Sequence, residues 1–264
     1  MAEDKPSRPR TVAGKVMAIL ETFADSNARL SLTEICRRSD LPLGTGHRLV
    51  GELTRASFLE RLPGGTYRVG TRLWRIGAQP SAVSGLRELA LPHMEDLYEG
   101  THENVQLAVL RQGKALYIER LRGSRSVPIV TRVGAELPLH ATAVGKILLA
   151  HAPADQCDQI LAAGLPAHTA HTMTDPDVLR ACLAQVRRTG FVVTREEMTL
   201  GTSSVAAPVT DVEHRVVAAL SVVARSHGSD PRHLLPAVVT GARALSRDVA
   251  AYWIPEGSWG VGTS

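Results

Sequence analysis

LPLHATAVGKILLA, residues 137–150, is the stretch on which the reading of the larger part of this chain turns. A histidine, a threonine and a Gly-Lys pair stand together where an apolar run begins. A phosphate-binding loop would need a glycine five residues before Gly145 and a Ser or Thr after Lys146, but His140 and Ile147 stand there. A hydrolase elbow would need two flanking glycines, and GTSSV at 201–205 has one. No local acid is placed to orient His140, and Glu196 and Glu197, adjacent in an extended stretch, point apart. No catalytic site is expected. What is left is a helix start. Thr142 is a good N-cap, so the amides of Ala143, Val144 and Gly145 point out of the first turn, where a carboxylate would be held with help from the helix dipole. Lys146, one turn in, is expected to pair with an acid or cap a strand end. An ordinary capped helix that binds nothing fits this spacing equally well.

The full chain of 264 residues has room for two modest domains, and its apolar fraction of 44% is that of a globular protein. No run of about 18 apolar residues suggests a membrane helix. The polar MAEDKPSRPR start has no hydrophobic core, so no secretory signal is expected and the protein is placed in the cytoplasm. Cys36, Cys157 and Cys182 lack CxxC spacing and are expected as reduced thiols. The tightest histidine pair, His168 and His171, supplies two ligands, too few for a metal site, and neither metal nor cofactor is expected.

Charge is unevenly spread. Residues 1–78 hold 13 Lys+Arg and 8 Asp+Glu, net +5, whereas residues 79–264 hold 17 and 18, net −1. A basic module joined to a near-neutral one suggests nucleic acid as the partner of the first. Within it, Val16, Ile19, Leu20 and Phe23 share one face of a helix over Val12–Ala24. SLTE at 31–34 reads as a Ser-x-x-Glu capping box opening a second helix, and Pro42 stands at the first position of a third that runs to about Ala56. FLERL, PGGT and YRVG then form a hairpin, with Arg61 and Arg68 on its strands. That order is a winged helix-turn-helix, in which Thr33, Thr45, His47 and Arg48 would face DNA with the two hairpin arginines. Gly44 and Gly46 weaken the third helix by roughly 1 kcal/mol each. A helical subdomain with a solvated basic face stays open as the alternative.

Beyond Thr71–Gln79, a helix over Pro80–Gly100 carries an apolar stripe (Leu86, Leu89, Ala90, Met94, Leu97) that could face another subunit. Strands follow at Asn104–Arg111, Ala115–Leu121, Val127–Val133, Phe191–Arg195, Ser203–Val209 and Val216–Ala224, the last apolar enough to be central. Helices are read from Thr142 to His151, Pro176 to Arg188 and Pro231 to Trp253. The fold class is α+β: a disordered arm (1–10), a winged helix-turn-helix (11–76), a linker helix (77–100), a larger domain with a mostly antiparallel sheet (101–254) and a flexible tail (255–264).

LPLHATAVGKILLA, followed some 40 residues later by GFVVTREEMTLGTSSVAAPV, resembles the effector domain of IclR-family transcriptional regulators; SLTEICRRSDLPLGTGHRLVGELTRASFLER with YRVG resembles that family's winged helix-turn-helix. The likeness runs in order over about residues 11 to 250. It implies a GAF-like effector-binding domain, operator DNA as a partner, homodimers joined through the DNA-binding domain and linker helix, often homotetramers, and repression as the commoner mode. Carried over by position, the effector site is the amides of Ala143 and Val144 with Thr194, Ser204, Ser221 and Val223. Members that bind small keto-acids have an acid at position 194 and a hydroxyl at 223. Thr194 and Val223 therefore point to a larger carboxylate, an aromatic acid or a degradation intermediate. The DNA half departs from the family at Leu43, Gly44 and Gly46, while Arg48 matches. An acid-converting enzyme fused to a DNA-binding head, and a DNA-binding protein with an empty pocket, are the alternatives.

Overall fold

The computed structural model describes residues 11–24, 29–79, 81–123, 131–227 and 230–252. The arm at 1–10, residues 25–28 and the tail lie outside the described residues, as does most of the strand expected at Val127–Val133. The chain divides into two units, Met1–Pro80 and Ser81–Ser264.

In the first unit, α1 (Val12–Glu21), α2 (Leu32–Arg38) and α3 (Leu43–Arg55) are followed by β2 (Leu59–Arg61) and β3 (Thr66–Val69), with a short β1 (Leu30–Ser31) completing a sheet of order β1-β3-β2. Ile19, Ile35, Leu49, Val50 and Leu59 form the core that fixes the helices against the hairpin. Only half of the expected capping box forms. Ser31 accepts from the Glu34 amide at 3.2 Å, but the Glu34 carboxylate turns to Arg37 and Arg38, which hold its pKa down to about 2. Pro42 is the N-cap of α3, not its first turn. The wing turn passes through Gly64 and Gly65 at positive φ, a backbone shape costly for other residues. A helix not foreseen in sequence, α4 (Thr71–Gly77), follows; Trp74 and Ile76 on it are exposed.

The two α3 glycines have different reasons to be there. A Cβ on Gly44 would meet nothing within 4 Å, whereas one on Gly46 would overlap the Cys36 Sγ of α2. Gly46 is the close approach of the helix-turn-helix pair.

In the second unit, α5 (Ala82–Thr101) leads into a six-stranded antiparallel sheet. Its strands are β4 (Asn104–Arg111), β5 (Lys114–Leu121), β6 (Glu136–Pro138), β7 (Val192–Arg195), β8 (Thr202–Thr210) and β9 (Val216–Arg225), in the order β6-β5-β4-β9-β8-β7. The apolar β9 is central, as its composition indicated. The β4–β5 turn places Gln112 and Gly113 both at positive φ, as a two-residue hairpin requires. The edge strand on the β5 side is β6; residues 131–133, the described end of the expected third strand, are not in strand.

Side chains alternate across the sheet and divide it into two cores. Val105, Leu107 and Val109 of β4 face α5 and the last helix, α9 (Leu235–Tyr252), which a 3-10 turn at Pro231–Leu234 precedes. The α5 stripe of Leu86, Ala90, Met94 and Leu97 is buried in this core, so it is consumed within the unit and is not free for another subunit. Ala108 of β4 and Tyr117 of β5 face the other way, against α6 (Ala143–Ala150), α7 (Ala154–Ala162, not anticipated) and α8 (Pro176–Thr189).

Gly44→Ala should raise stability by up to about 1 kcal/mol in urea unfolding of the protein. Gly46→Ala should lower it by about 1–3 kcal/mol, and adding Cys36→Ala should recover most of that loss by removing the overlapped sulfur.

Candidate functional site

Every residue of α6 is buried, so the helix is enclosed on all sides and its N-terminus faces the interior. Thr142 caps it: its hydroxyl accepts from the Gly145 amide at 3.1 Å and donates to the Pro138 carbonyl at 3.0 Å. The expectation of three outward amides is corrected to two, because the cap uses Gly145. A Cβ on Gly145 would overlap the Leu139 backbone and the Thr142 hydroxyl, so this glycine lets the 137–142 segment fold down onto α6.

A cavity opens between the α6 N-terminus and the sheet, with about 460 Å³ of atom-free space, solvent mouth included. Ala143, Val144, Thr194, Ser204, Ser221 and Val223, the six positions named from sequence, all line it. Strand register explains the convergence. Thr194 pairs with Ser204, Ser204 with Val223, and Gln106 with Ser221, so one face of β4, β7, β8 and β9 presents them together. The Ser221 side chain is fully buried, and among the described residues its Oγ has no hydrogen-bond partner. His140 is committed elsewhere: its Nε2 lies 3.0 Å from the Pro166 carbonyl, and burial lowers its pKa.

Gln106, Tyr117, Thr131 and Glu197 also line the cavity, and sequence reading missed them. A signal existed for Gln106, a lone amide inside the apolar run NVQLAVLR. Burial pushes the Tyr117 phenol well above its usual range, so it stays protonated.

Lys146 does pair with an acid. It is fully buried, and its Nζ lies 2.6 Å from both carboxylate oxygens of Glu197 and 3.3 Å from Met173 Sδ. Thr172 donates to the Glu197 carbonyl and Thr169 to that of Glu196, each at 2.6 Å, so the 165–173 stretch clasps the loop at the cavity mouth. Its histidines diverge: His171 approaches Glu196 at 3.7 Å and the His168 ring stacks obliquely near His140. Glu197 is charge-compensated by Lys146, whereas Glu196 accepts from the Ser226 hydroxyl, which lowers its pKa and favours its anion. The positive end of α6 is left facing the cavity.

In the first unit, Thr33, His47, Arg48, Arg61 and Arg68 are exposed and Thr45 is half-buried. Arg48 pairs with Glu52 at 2.6 Å and Arg68 with Glu60 at 2.8 Å. Arg61 stands opposite Tyr67 and Arg68 opposite Glu60, so the two arginines leave opposite faces of the hairpin.

Both units have known relatives. Residues 12–63 match the IclR helix-turn-helix domain and residues 81–250 the bacterial transcriptional regulator IclR C-terminal domain. The chain belongs to the IclR family. It is a DNA-binding transcriptional regulator, and its relatives are regulators, not enzymes. It is 32% identical over 243 residues to the glycerol operon regulatory protein of Streptomyces coelicolor, covering 90% of this chain and 95% of that one. It is 30% identical over 210 residues to the transcriptional repressor IclR of Escherichia coli, covering 78% and 77%. An IclR homologue from Microbacterium hydrocarbonoxydans, crystallised with 4-hydroxybenzoate, superposes with a TM-score of 0.85 at 34% identity, over 90% of this chain and 99% of that one. The IclR-family fold therefore extends over both units, and its α+β class matches the sequence reading.

Lys146→Met strands a buried carboxylate and should destabilise the second unit by about 3–5 kcal/mol. Adding Glu197→Leu should return most of that loss in chemical denaturation, since a buried pair replaced by apolar residues is near neutral. A double variant no better than Lys146→Met alone would show that the pair is not what holds the loop.

Proposed function

We propose that the cavity is an effector site for a small organic or aromatic carboxylate and that its occupancy changes how the protein holds operator DNA. The observation that carries this reading is the α6 N-terminus. Two amides without an intrahelical acceptor, Ala143 and Val144, line a cavity whose wall also holds the unpartnered Ser221 hydroxyl. Together they suit an anion that accepts from several donors. Thr194, Ser204 and Val223 complete the wall, and its apolar parts favour a carboxylate larger than a two- or three-carbon acid. The 4-hydroxybenzoate in the solved homologue supports an aromatic acid.

Operator contact is assigned to Thr33, Thr45, His47 and Arg48, with Arg61 and Arg68 from the wing. The Arg48–Glu52 pair is no obstacle: exposed ion pairs are worth under about 1 kcal/mol, less than a desolvated phosphate contact. The protein works in the cytoplasm as a homodimer or a dimer-of-dimers tetramer, and exposed Met17, Trp74 and Ile76 of the first unit offer a second copy an apolar contact. Two relatives named as repressors favour repression. The effector acts by binding one of two arrangements of the paired heads more tightly than the other.

A gel shift on the upstream intergenic DNA, repeated with a panel of small and aromatic carboxylates, tests this directly. One acid should release or strengthen the retarded band, and a band that no acid moves would remove the effector reading. Ala143→Pro deletes one ligand-facing amide at the first helical position, where proline is tolerated. It should weaken the response to that acid by roughly 10- to 100-fold with DNA binding retained. Arg48→Ala should weaken DNA binding, lower its salt dependence by about one phosphate contact and leave acid binding intact.

A further inference from the structure

One wall of the cavity is polar in a way that a simple carboxylate does not use. Gln106 is buried in the middle of β4, its Cα partner on β9 is Ser221, and its partner on β5 is Arg120. The three stand in one row across the sheet. Gln106 Nε2 donates to the Thr131 hydroxyl at 2.5 Å, and the Arg120 guanidinium donates to the Thr131 carbonyl. Thr131 is thus held over the row by two hydrogen bonds, and Gln106, Thr131 and Ser221 all line the cavity.

A primary amide has two N–H donors and one acceptor oxygen, and the bond to Thr131 uses one donor. Among the described residues Gln106 therefore keeps a donor and an acceptor, and the Ser221 hydroxyl beside it keeps both of its functions. An unsubstituted hydrocarbon acid filling the space would bury these groups without partners, which is costly. A second carboxylate can only accept, so it would leave the Gln106 oxygen without a donor. A hydroxyl both donates and accepts, and it matches the pair.

We propose that Gln106, with Ser221 beside it and Thr131 fixing its amide, determines specificity by selecting carboxylates that also bear a hydroxyl, in particular ring-hydroxylated aromatic acids. This rests on the carboxylate reading of the cavity and adds a second recognition point to it. Sites that hydrogen-bond a ligand hydroxyl discriminate strongly against analogues that lack it, whereas apolar pockets discriminate weakly over one added hydroxyl.

The test is calorimetric titration of the full-length protein with benzoate and each of its three monohydroxy isomers. One isomer should bind at least about tenfold tighter than benzoate. Gln106→Leu, similar in size, should bring that ratio to within about threefold, and Ser221→Ala should reduce it in the same direction. Retention of operator DNA by the variants serves as the folding control. If Gln106→Leu does not fold, Ser221→Ala and the wild-type ratio decide. Benzoate binding as tightly as every isomer overturns the selection by Gln106 and leaves the carboxylate site standing. A preference unchanged in both variants overturns it too, by assigning the hydroxyl to another group. Binding of none of the four acids removes the aromatic carboxylate reading and this inference with it.

Discussion

Lys146 is wholly removed from solvent and Glu197 nearly so, and the second unit depends on their meeting. A charged amine inside an enclosed helix is tolerable only with an opposite charge at hydrogen-bond distance. That requirement ties α6 to the Glu196–Gly201 loop and draws the clasp at Thr169 and Thr172 onto the same loop. The loop forms one side of the cavity mouth and α6 forms its roof, so the ion pair sets how far apart they stand. A buried pair of this kind contributes little net stability over apolar residues. Its effect is geometric: the amides of Ala143 and Val144 are held at a fixed distance from the sheet.

The same pair decides the electrostatics. A cavity lined by two glutamates would repel an anion if they were free. Glu197 is neutralised by Lys146, so the carboxylate nearest α6 does not oppose the positive end of the helix terminus; Glu196, whose anionic form the Ser226 hydroxyl favours, is turned to Ser226. The proposed effector site relies on backbone amides, which the small residues at 141–145 leave within reach of the cavity. Gly145 makes this arrangement possible, since any side chain there would push the 137–142 segment off the helix. Gly46 plays the matching part in the head, where it brings α3 against Cys36.

Much of this was legible in the chain. Period-2 and period-3.6 patterns located most strands and helices, the charge division separated a basic head from a near-neutral remainder, and Thr142 announced the α6 start. The short helices α4 and α7 were not read, because, unlike the equally short α2 and α6, they have no side-chain N-cap to mark their start. The α5 stripe was read correctly as apolar, but an apolar stripe says only that something covers it; the sheet does so within the unit.

What the sequence determined by itself was each residue's local tendency and the family resemblance that placed Ala143, Val144, Thr194, Ser204, Ser221 and Val223 in one list. Which side chains share a wall follows from the folded chain. Strand register put Gln106 beside Ser221 and Arg61 opposite Tyr67, and a slip of one residue would have reversed both. It likewise chose Glu197 over its neighbour as the partner of Lys146, 51 residues away. Register and long-range pairing are set by packing across the whole sheet, and no short window of the chain contains them.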